Sequence, residues 1–161
     1  MVKTSPGFEA NRARISVALS EFTVPLLSRI YHAFDGDMVA ALVLGEIAHR
    51  NVEAWLVQYE NPEEQLQDPG RRETLMRPCN ALSIAESCGL PRETVRRRIV
   101  KLIDRGYVYR SEGGFLFLAR SVGEDFEDMT ARNVEDLLET ARRLQSLLAN
   151  LPTPLGPLRL D

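Results

Sequence analysis

The sequence predicts a mainly α-helical fold with one small β-hairpin, an α+β arrangement. Two amphipathic helical patterns lie on either side of a glycine and a proline near Leu90, which is typical of two helices joined by a tight turn. Two runs rich in aromatic and aliphatic residues then flank a Gly-Gly turn at 113–114, which indicates a hairpin. Helical periodicity recurs on both sides of this region. We therefore expect N-terminal helices before it and a long C-terminal helix after it.

The first of the two helices is predicted to begin after Asn80, whose side chain can accept hydrogen bonds from the free amides of the first turn. Ile84, Ala85 and Cys88 form its apolar stripe. Gly89 follows, and glycine readily takes the left-handed conformation that ends a helix. The next residue, leucine, can then fill the core between the two helices.

The second helix is predicted from Pro91 or Arg92 to Arg105, with the proline at a position where its missing amide costs nothing. Its apolar residues share one side of a helical wheel: Val95, Ile99, Leu102, Ile103 and Gly106. The opposite side is mostly charged: Glu93, Arg97 and Asp104, flanked by Arg96, Val100 and Lys101. One side is therefore predicted to face the core and the other a partner. With the hairpin that follows, this order of elements is a winged helix-turn-helix.

Residues 88–97 (CGLPRETVRR) resemble the recognition helix of the cyclic AMP receptor protein family, and the hairpin resembles that of MarR and GntR regulators. The resemblance covers only residues 82–119 of the 161. It implies that Arg92, Glu93 and Arg97 read DNA bases and that Thr94 contacts a phosphate. Two departures limit what is carried over. Pro91 stands where that family usually has serine, and no cyclic-nucleotide barrel pattern is present, so the family's ligand is not implied.

Composition places the chain among ordinary globular proteins, with 44% hydrophobic and 27% charged residues. No apolar run approaches the length of a membrane span and no signal peptide is recognisable, so we expect a cytoplasmic protein without membrane contact. The resemblance to the regulators named above implies a bacterial protein. The net charge is −3, yet residues 81–110 hold seven basic and three acidic residues, a local +4 that leaves −7 elsewhere. A basic surface on an acidic protein suits a DNA-binding site, because attraction to phosphate is local.

The residues predicted to bind DNA are Arg92, Glu93, Thr94, Arg96, Arg97, Lys101, Arg110, Ser111 and Gly113. An arginine can form two hydrogen bonds with guanine and a glutamate can accept one from the amino group of cytosine. We expect the other side chains of the helix to contact phosphates, and Arg110 with the hairpin tip to reach the minor groove or the backbone. Arg98 and Arg105 fit either an ion pair within the fold or a DNA contact.

Residues 1–35 are predicted to form an N-terminal arm with helices that either dimerise or complete the chain's own core. The first ten residues should be frayed. A helix is expected over 11–20 and a second from Pro25, capped by Thr23. After the break at 35–37, the strongly apolar segment from Met38 is predicted to be the most buried helix, which either continues towards Tyr59 or gives way to a strand there.

Residues 36–120 form the predicted DNA-binding domain, which includes a long loop at 60–80 that ends in a short strand near 75–79. Residues 121–161 are predicted to be a turn at 121–123, a helix over 124–150 and an extended tail. Apolar residues recur in this helix at heptad spacing: Thr130, Val134, Leu137, Ala141, Leu144, Leu148 and Leu151. We favour a dimer interface, since two-fold symmetry would match two DNA half-sites. A helix that folds back on its own subunit would show much the same stripe.

No catalytic motif, metal-ligand spacing or cofactor motif is recognisable, so we expect no enzyme, metal or cofactor. Cys79 and Cys88 are expected in the core rather than as a redox pair, and His32 and His49 as structural residues. The sequence therefore predicts a homodimeric transcriptional regulator that binds double-stranded DNA. The alternatives are a winged helix used for protein contacts and a replication or plasmid-partition protein. The sequence does not identify an effector or an operator.

Overall fold

A computed structural model of the chain describes residues 5–56 and 73–149. Over these residues the protein is mostly helical with one two-stranded antiparallel sheet, which confirms the mainly α fold with a small hairpin. The elements are α1 (Pro6–Ala10), α2 (Arg12–Ala33), α3 (Met38–Leu56), α4 (Ala81–Cys88), α5 (Arg92–Asp104), β1 (Val108–Arg110), β2 (Leu116–Leu118), α6 (Ser121–Asp125) and α7 (Glu127–Ala149). Contacts divide them into a central unit (residues 30–56 and 73–127) and a terminal unit (residues 5–29 and 128–149).

The central unit has one apolar core shared by α3, α4, α5 and both strands. Its most completely buried side chains are Val43, Ile47, Ile84, Val95, Ile99, Leu102, Val108 and Leu116. α3 supplies several of them, but its Leu42 is 52% exposed. This position lies about 155° around the helix from the centre of the packed side, so α3 also has an exposed side.

Local signals set the bounds of α4 and α5 where the sequence predicted them. The side chain of Asn80 accepts hydrogen bonds from the backbone amides of Leu82 and Ser83, both at 3.0 Å. Gly89 has φ 64° and Pro91 directly precedes α5. Gly106 was expected on the buried side of α5. It instead lies just after the helix, where it is exposed and has φ 74°. Helices often end at a glycine in this left-handed conformation.

The hairpin pairs Val108 with Leu118 and Arg110 with Leu116. The expected third strand near residues 75–79 is reduced to a single bridge, in which the amide of Leu116 donates to the carbonyl of Cys79 at 2.8 Å. Most of the predicted loop at 60–80, together with Tyr59, lies outside the described residues.

α2 is one continuous helix, so the predicted break at Pro25 is wrong. Thr23 does not cap a new helix, since its hydroxyl donates to the carbonyl of Leu19 one turn earlier. Proline removes one helical hydrogen bond, normally to the carbonyl four residues before it. The helix continues because half-buried residues on either side of the proline, Phe22 and Arg29 among them, keep a single packed side.

Both ends of the chain differ from expectation in the described residues. The arm expected to fray forms α1, capped by Ser5, and its Gly7 packs so closely on the carbonyl group of Leu148 that a Cβ would not fit there. The predicted turn at 121–123 is helical, and the helix expected from 124 is interrupted at Phe126. The break follows from packing, since the Phe126 ring stacks on Phe34 with centroids 5.6 Å apart.

In the terminal unit, α2 and α7 run antiparallel and are joined by polar contacts. Arg29 pairs with Asp136 at 2.5 Å, Arg143 pairs with Glu21, and the side-chain amide of Asn11 donates to the carbonyl of Leu147 at 2.9 Å. The half-buried residues of α7 include Met129, Asn133, Asp136, Thr140, Leu144 and Leu147. This packed side is offset from the predicted heptad stripe, of which Thr130, Val134, Leu137 and Leu148 are exposed. Leu151 of the stripe and the predicted extended tail lie outside the described residues.

Candidate nucleic-acid interface

α5 is fixed in the central unit by its apolar side. Val95, Ile99 and Leu102 are at most 1% exposed, as their spacing predicted. The residues of the opposite side are exposed: Arg92, Glu93, Arg96, Arg97, Val100, Lys101 and Asp104. The helix therefore presents a row of mostly charged side chains to solvent, which we call the outer face of α5.

Arg92 and Arg97 are the least constrained cations of the outer face. Neither side chain forms a salt bridge or hydrogen bond within the described residues, although the charge of Arg97 helps to lower the pKa of the nearby Glu93 carboxyl. Arg92 lies in the first turn of the helix and Arg97 lies between one and two turns further on. A guanidinium of this kind can bind a planar acceptor pair through two parallel hydrogen bonds without breaking an existing contact.

Glu93 and Arg96 form a two-point ion pair on the outer face, with nitrogen–oxygen distances of 3.0 and 3.2 Å. The hydrogen bond from Arg96 lowers the pKa of the Glu93 carboxyl, and the same bond raises the pKa of the arginine. Both side chains are about two-thirds exposed, at 60% and 66%. Exposed pairs of this type contribute little stability, so either partner can exchange to another ligand at small cost.

Two aspartates from the turn between α2 and α3 neutralise the flank of α5. Asp37 pairs with Arg98 at 2.8 Å and with Lys101 at 3.4 Å, and Asp35 pairs with Arg105. Of the two possibilities left open for Arg98 and Arg105, the structure has the ion pair within the fold. Lys101, predicted to contact phosphate, is in this cluster as well, although its side chain remains 60% exposed.

Asp37 also caps α3, since its carboxylate accepts a hydrogen bond from the amide of Ala40 at 3.0 Å. Partial burial by itself disfavours the charged form. This effect is outweighed by the Ala40 hydrogen bond and by the nearby Arg98 and Lys101, so the pKa of Asp37 is lowered from its ordinary value. One ionised carboxylate therefore joins the start of α3 to the side of α5 and keeps the outer face in a fixed orientation.

The hairpin residues predicted to contact DNA are mainly engaged in building the turn. Arg110 donates to the carbonyl of Gly114 at 2.8 Å, and the Ser111 hydroxyl accepts from the amide of Phe115 at 3.3 Å. Together with Gly113 they line an open depression that also includes two carboxylates, Glu73 and Glu112. The predicted Thr94 lies half-buried at the edge of α5.

The charges around α5 are more balanced than residues 81–110 alone indicate. Counting Asp35 and Asp37 with residues 81–110 gives seven basic and five acidic side chains, a net +2. On the outer face of α5, Arg92 and Arg97 carry the excess positive charge, because Arg96 is paired with Glu93. Neither aspartate was expected as a partner of α5, since the sequence predicted only a break at residues 35–37.

The two cysteines are unpaired thiols with different exposure, Cys79 buried and Cys88 half-buried. Burial raises the pKa of Cys79 to about 11 and also raises that of Cys88. Neither thiol therefore has the lowered pKa of a reactive cysteine. Within the described ranges, no group of three or more potential metal ligands is found.

Comparison with known proteins found no family model, no curated protein and no solved structure that matches this chain. None of the helices described here is both long and apolar enough to span a bilayer.

Proposed function

We propose that the chain is a winged helix-turn-helix regulator of transcription that binds double-stranded DNA sequence-specifically as a homodimer, with α5 in the major groove. The observation that carries this proposal is the outer face of α5. A helix whose other side is buried presents Arg92 and Arg97, which form no salt bridge or hydrogen bond within the described residues. Bases in the major groove offer the acceptor pairs that such guanidinium groups bind.

In this proposal Arg92 and Arg97 read guanines through their O6 and N7 atoms. Glu93 accepts from the amino group of a cytosine, and Arg96 moves from the carboxylate to a phosphate. The exchange costs little because the ion pair between these two side chains is solvent-exposed. Lys101 contacts a phosphate, and Thr94 does so from the edge of the helix.

The hairpin acts as the wing in this proposal and contributes less than α5. Arg110 can reach the DNA backbone while Ser111 and Gly113 shape the turn. Glu112 adds a negative charge beside them, which opposes close approach to phosphates. We therefore expect wing substitutions to weaken binding without changing which sequence is preferred.

A homodimer is proposed because α7 exposes an apolar side that α2 does not cover. Val134, Leu137 and Leu138 are each about half exposed, at 49%, 51% and 53%. A second copy of the chain would bury these side chains and provide a second recognition helix for a two-fold symmetric site. α2, in the same unit, has exposed apolar residues as well, such as Val24 at 63%.

The test is selection of bound DNA from a random pool, followed by gel shifts with the selected duplex. Arg97→Ala should weaken specific binding about tenfold or more and relax the preference at one base pair. The matched control is Arg132→Ala, which removes one exposed positive charge from α7. Equal effects of the two variants would contradict base reading by Arg97.

Salt dependence separates DNA binding from a winged helix that contacts only proteins. Affinity for the selected duplex should fall steeply between about 50 and 200 mM salt, because bound counterions are released from the DNA. If selection enriches no sequence and the chain binds no duplex even at low salt, the proposed function is wrong.

A further inference from the structure

Val100 is the one uncharged side chain among the exposed residues of α5, and it is 51% exposed. With 100° of rotation per residue, it lies at the centre of the outer face. Arg96 and Arg97 precede it by about one turn and Asp104 follows by one turn. The apolar surface is therefore surrounded by charged groups rather than continuous with the core.

The folding of the central unit does not explain why a valine stands at position 100. Val100 is absent from both the buried core and the half-buried apolar residues packed against it. Valine is also a poorer helix former than alanine or a long polar residue at an exposed position. A single exposed valine is common on protein surfaces, but this one lies at the position where α5 would approach the base edges most closely.

We propose that Val100 contacts the 5-methyl group of a thymine in the major groove, so that a thymine is a fixed feature of the bound sequence. The inference rests on the proposed function and deepens it. The thymine methyl is the only apolar group that a base pair presents in the major groove. A cytosine at this position would present its amino group to Val100 instead, and this donor would lose water without gaining an acceptor.

The position of the thymine relative to the other contacts follows from helix geometry. Val100 lies seven residues after Glu93, which is about 10 Å along the helix axis. A recognition helix follows the major groove at an angle to the DNA axis, and in zinc fingers side chains three residues apart contact successive bases. The thymine should therefore lie about two base pairs from the cytosine read by Glu93. The guanine read by Arg97 should lie between them.

The test replaces thymine by deoxyuridine, a substitution that removes only the methyl group. In the selected duplex, each thymine is replaced singly and the affinities of the wild type and of Val100→Ala are measured. We expect one position at which deoxyuridine weakens wild-type binding about fourfold, the value for one buried methyl group. Val100→Ala should bind the thymine duplex about as weakly and should not respond to deoxyuridine there.

Arg97→Ala is the matched control, because it should bind weakly yet retain the deoxyuridine effect. Thermal unfolding followed by circular dichroism should show Val100→Ala to be as stable as the wild type, since the side chain is exposed. Specific binding with no response to deoxyuridine at any thymine would refute the role of Val100 and leave the proposed function intact. A response that Val100→Ala retains would assign the methyl contact to another residue. Failure to select any sequence would overturn both proposals.

Discussion

The side-chain oxygen of Asn51 accepts a hydrogen bond from the backbone amide of Leu118 at 2.7 Å, in the interior of the central unit. The same side chain donates to the carbonyls of Arg77 at 2.8 Å and of Leu116 at 3.3 Å. Asn51 is 0% exposed. One buried amide on α3 therefore satisfies the polar backbone groups of the second hairpin strand and of the segment before α4, where the sheet has no regular third strand.

Replacing Asn51 by leucine, which has a similar volume, should lower the free energy of unfolding by about 2–4 kcal/mol, because three backbone groups lose their partner in a buried site. Urea unfolding of the purified protein measures this change. Arg132→Leu, which introduces the same side chain at an exposed position of α7, is the control and should alter stability by less than about 0.5 kcal/mol. Similar stability of both variants would contradict the structural role assigned to Asn51.

Asp37→Asn should lower the free energy of unfolding by about 1–2 kcal/mol at neutral pH. Asparagine can still cap α3, so the loss reports mainly the ion pairs with Arg98 and Lys101. The matched control is Asp104→Asn, which removes an exposed carboxylate from α5. This control should leave stability nearly unchanged.

The effect of Asp37→Asn should also depend on pH. The pKa of Asp37 is lowered in the folded protein, so its ionisation stabilises the fold at pH values above the ordinary carboxyl pKa of 3.8. This contribution should decrease as the pH falls below that value and the folded carboxylate is protonated. Unfolding measured from pH 7 to pH 2 should show wild type and variant converging in acid. A constant difference over this range would exclude ionisation of Asp37 as the cause.

The fold was predictable where its signals are local. Asn80, Gly89 and Pro91 lie within twelve residues and act on the backbone next to them, so the bounds of α4 and α5 follow from sequence. α2 was not predictable in the same way. The local preference of Pro25 to start a helix is overridden by packing of α2 against α7, which is more than 100 residues away in the chain.

The same difference between local and long-range signals applies to the candidate site. Periodicity predicts the outer face of α5, because burial of Val95 and Ile99 fixes which side points outward. The pairing of Lys101 with Asp37 joins positions 64 residues apart, and many carboxylates in the sequence would have served equally well. The role of Asn51 depends likewise on backbone groups 26 to 67 residues away. Neither contact leaves a periodic pattern or a motif in the sequence.

Cys79 should react slowly with a thiol reagent in the native protein at pH 8. Its thiol is buried and has a pKa of about 11, so very little thiolate is both formed and accessible. Cys88 is half-buried and should react faster. Reaction with Ellman's reagent should show one faster thiol in the native protein and two equally fast ones in denaturant, with Cys88→Ala removing the faster phase. Rapid native reaction of Cys79 would show that this site opens readily.

The wild-type chain should be a dimer, and the double variant Val134→Glu/Leu137→Glu should be a monomer. A glutamate at either position would have to lose its hydration at the proposed interface without a positive partner, which costs more than the apolar contact contributes. Both residues lie away from the side of α7 where Asp136 pairs with Arg29, so the terminal unit should still fold. Sedimentation equilibrium measures the state of association, and circular dichroism checks the helix content.

Arg132→Glu is the control for added negative charge on α7, since this position lies on the opposite side of the helix from Val134 and Leu137. It should remain a dimer. The monomeric double variant should bind a selected two-fold symmetric duplex much more weakly than the wild type. Its affinity for a single half-site should stay unchanged, because dimerisation acts only by raising the effective concentration of the second recognition helix. A monomeric wild type, or a double variant that still dimerises, would rule out the exposed side of α7 as the dimer interface. DNA binding by the outer face of α5 would then be tested with duplexes that hold a single half-site.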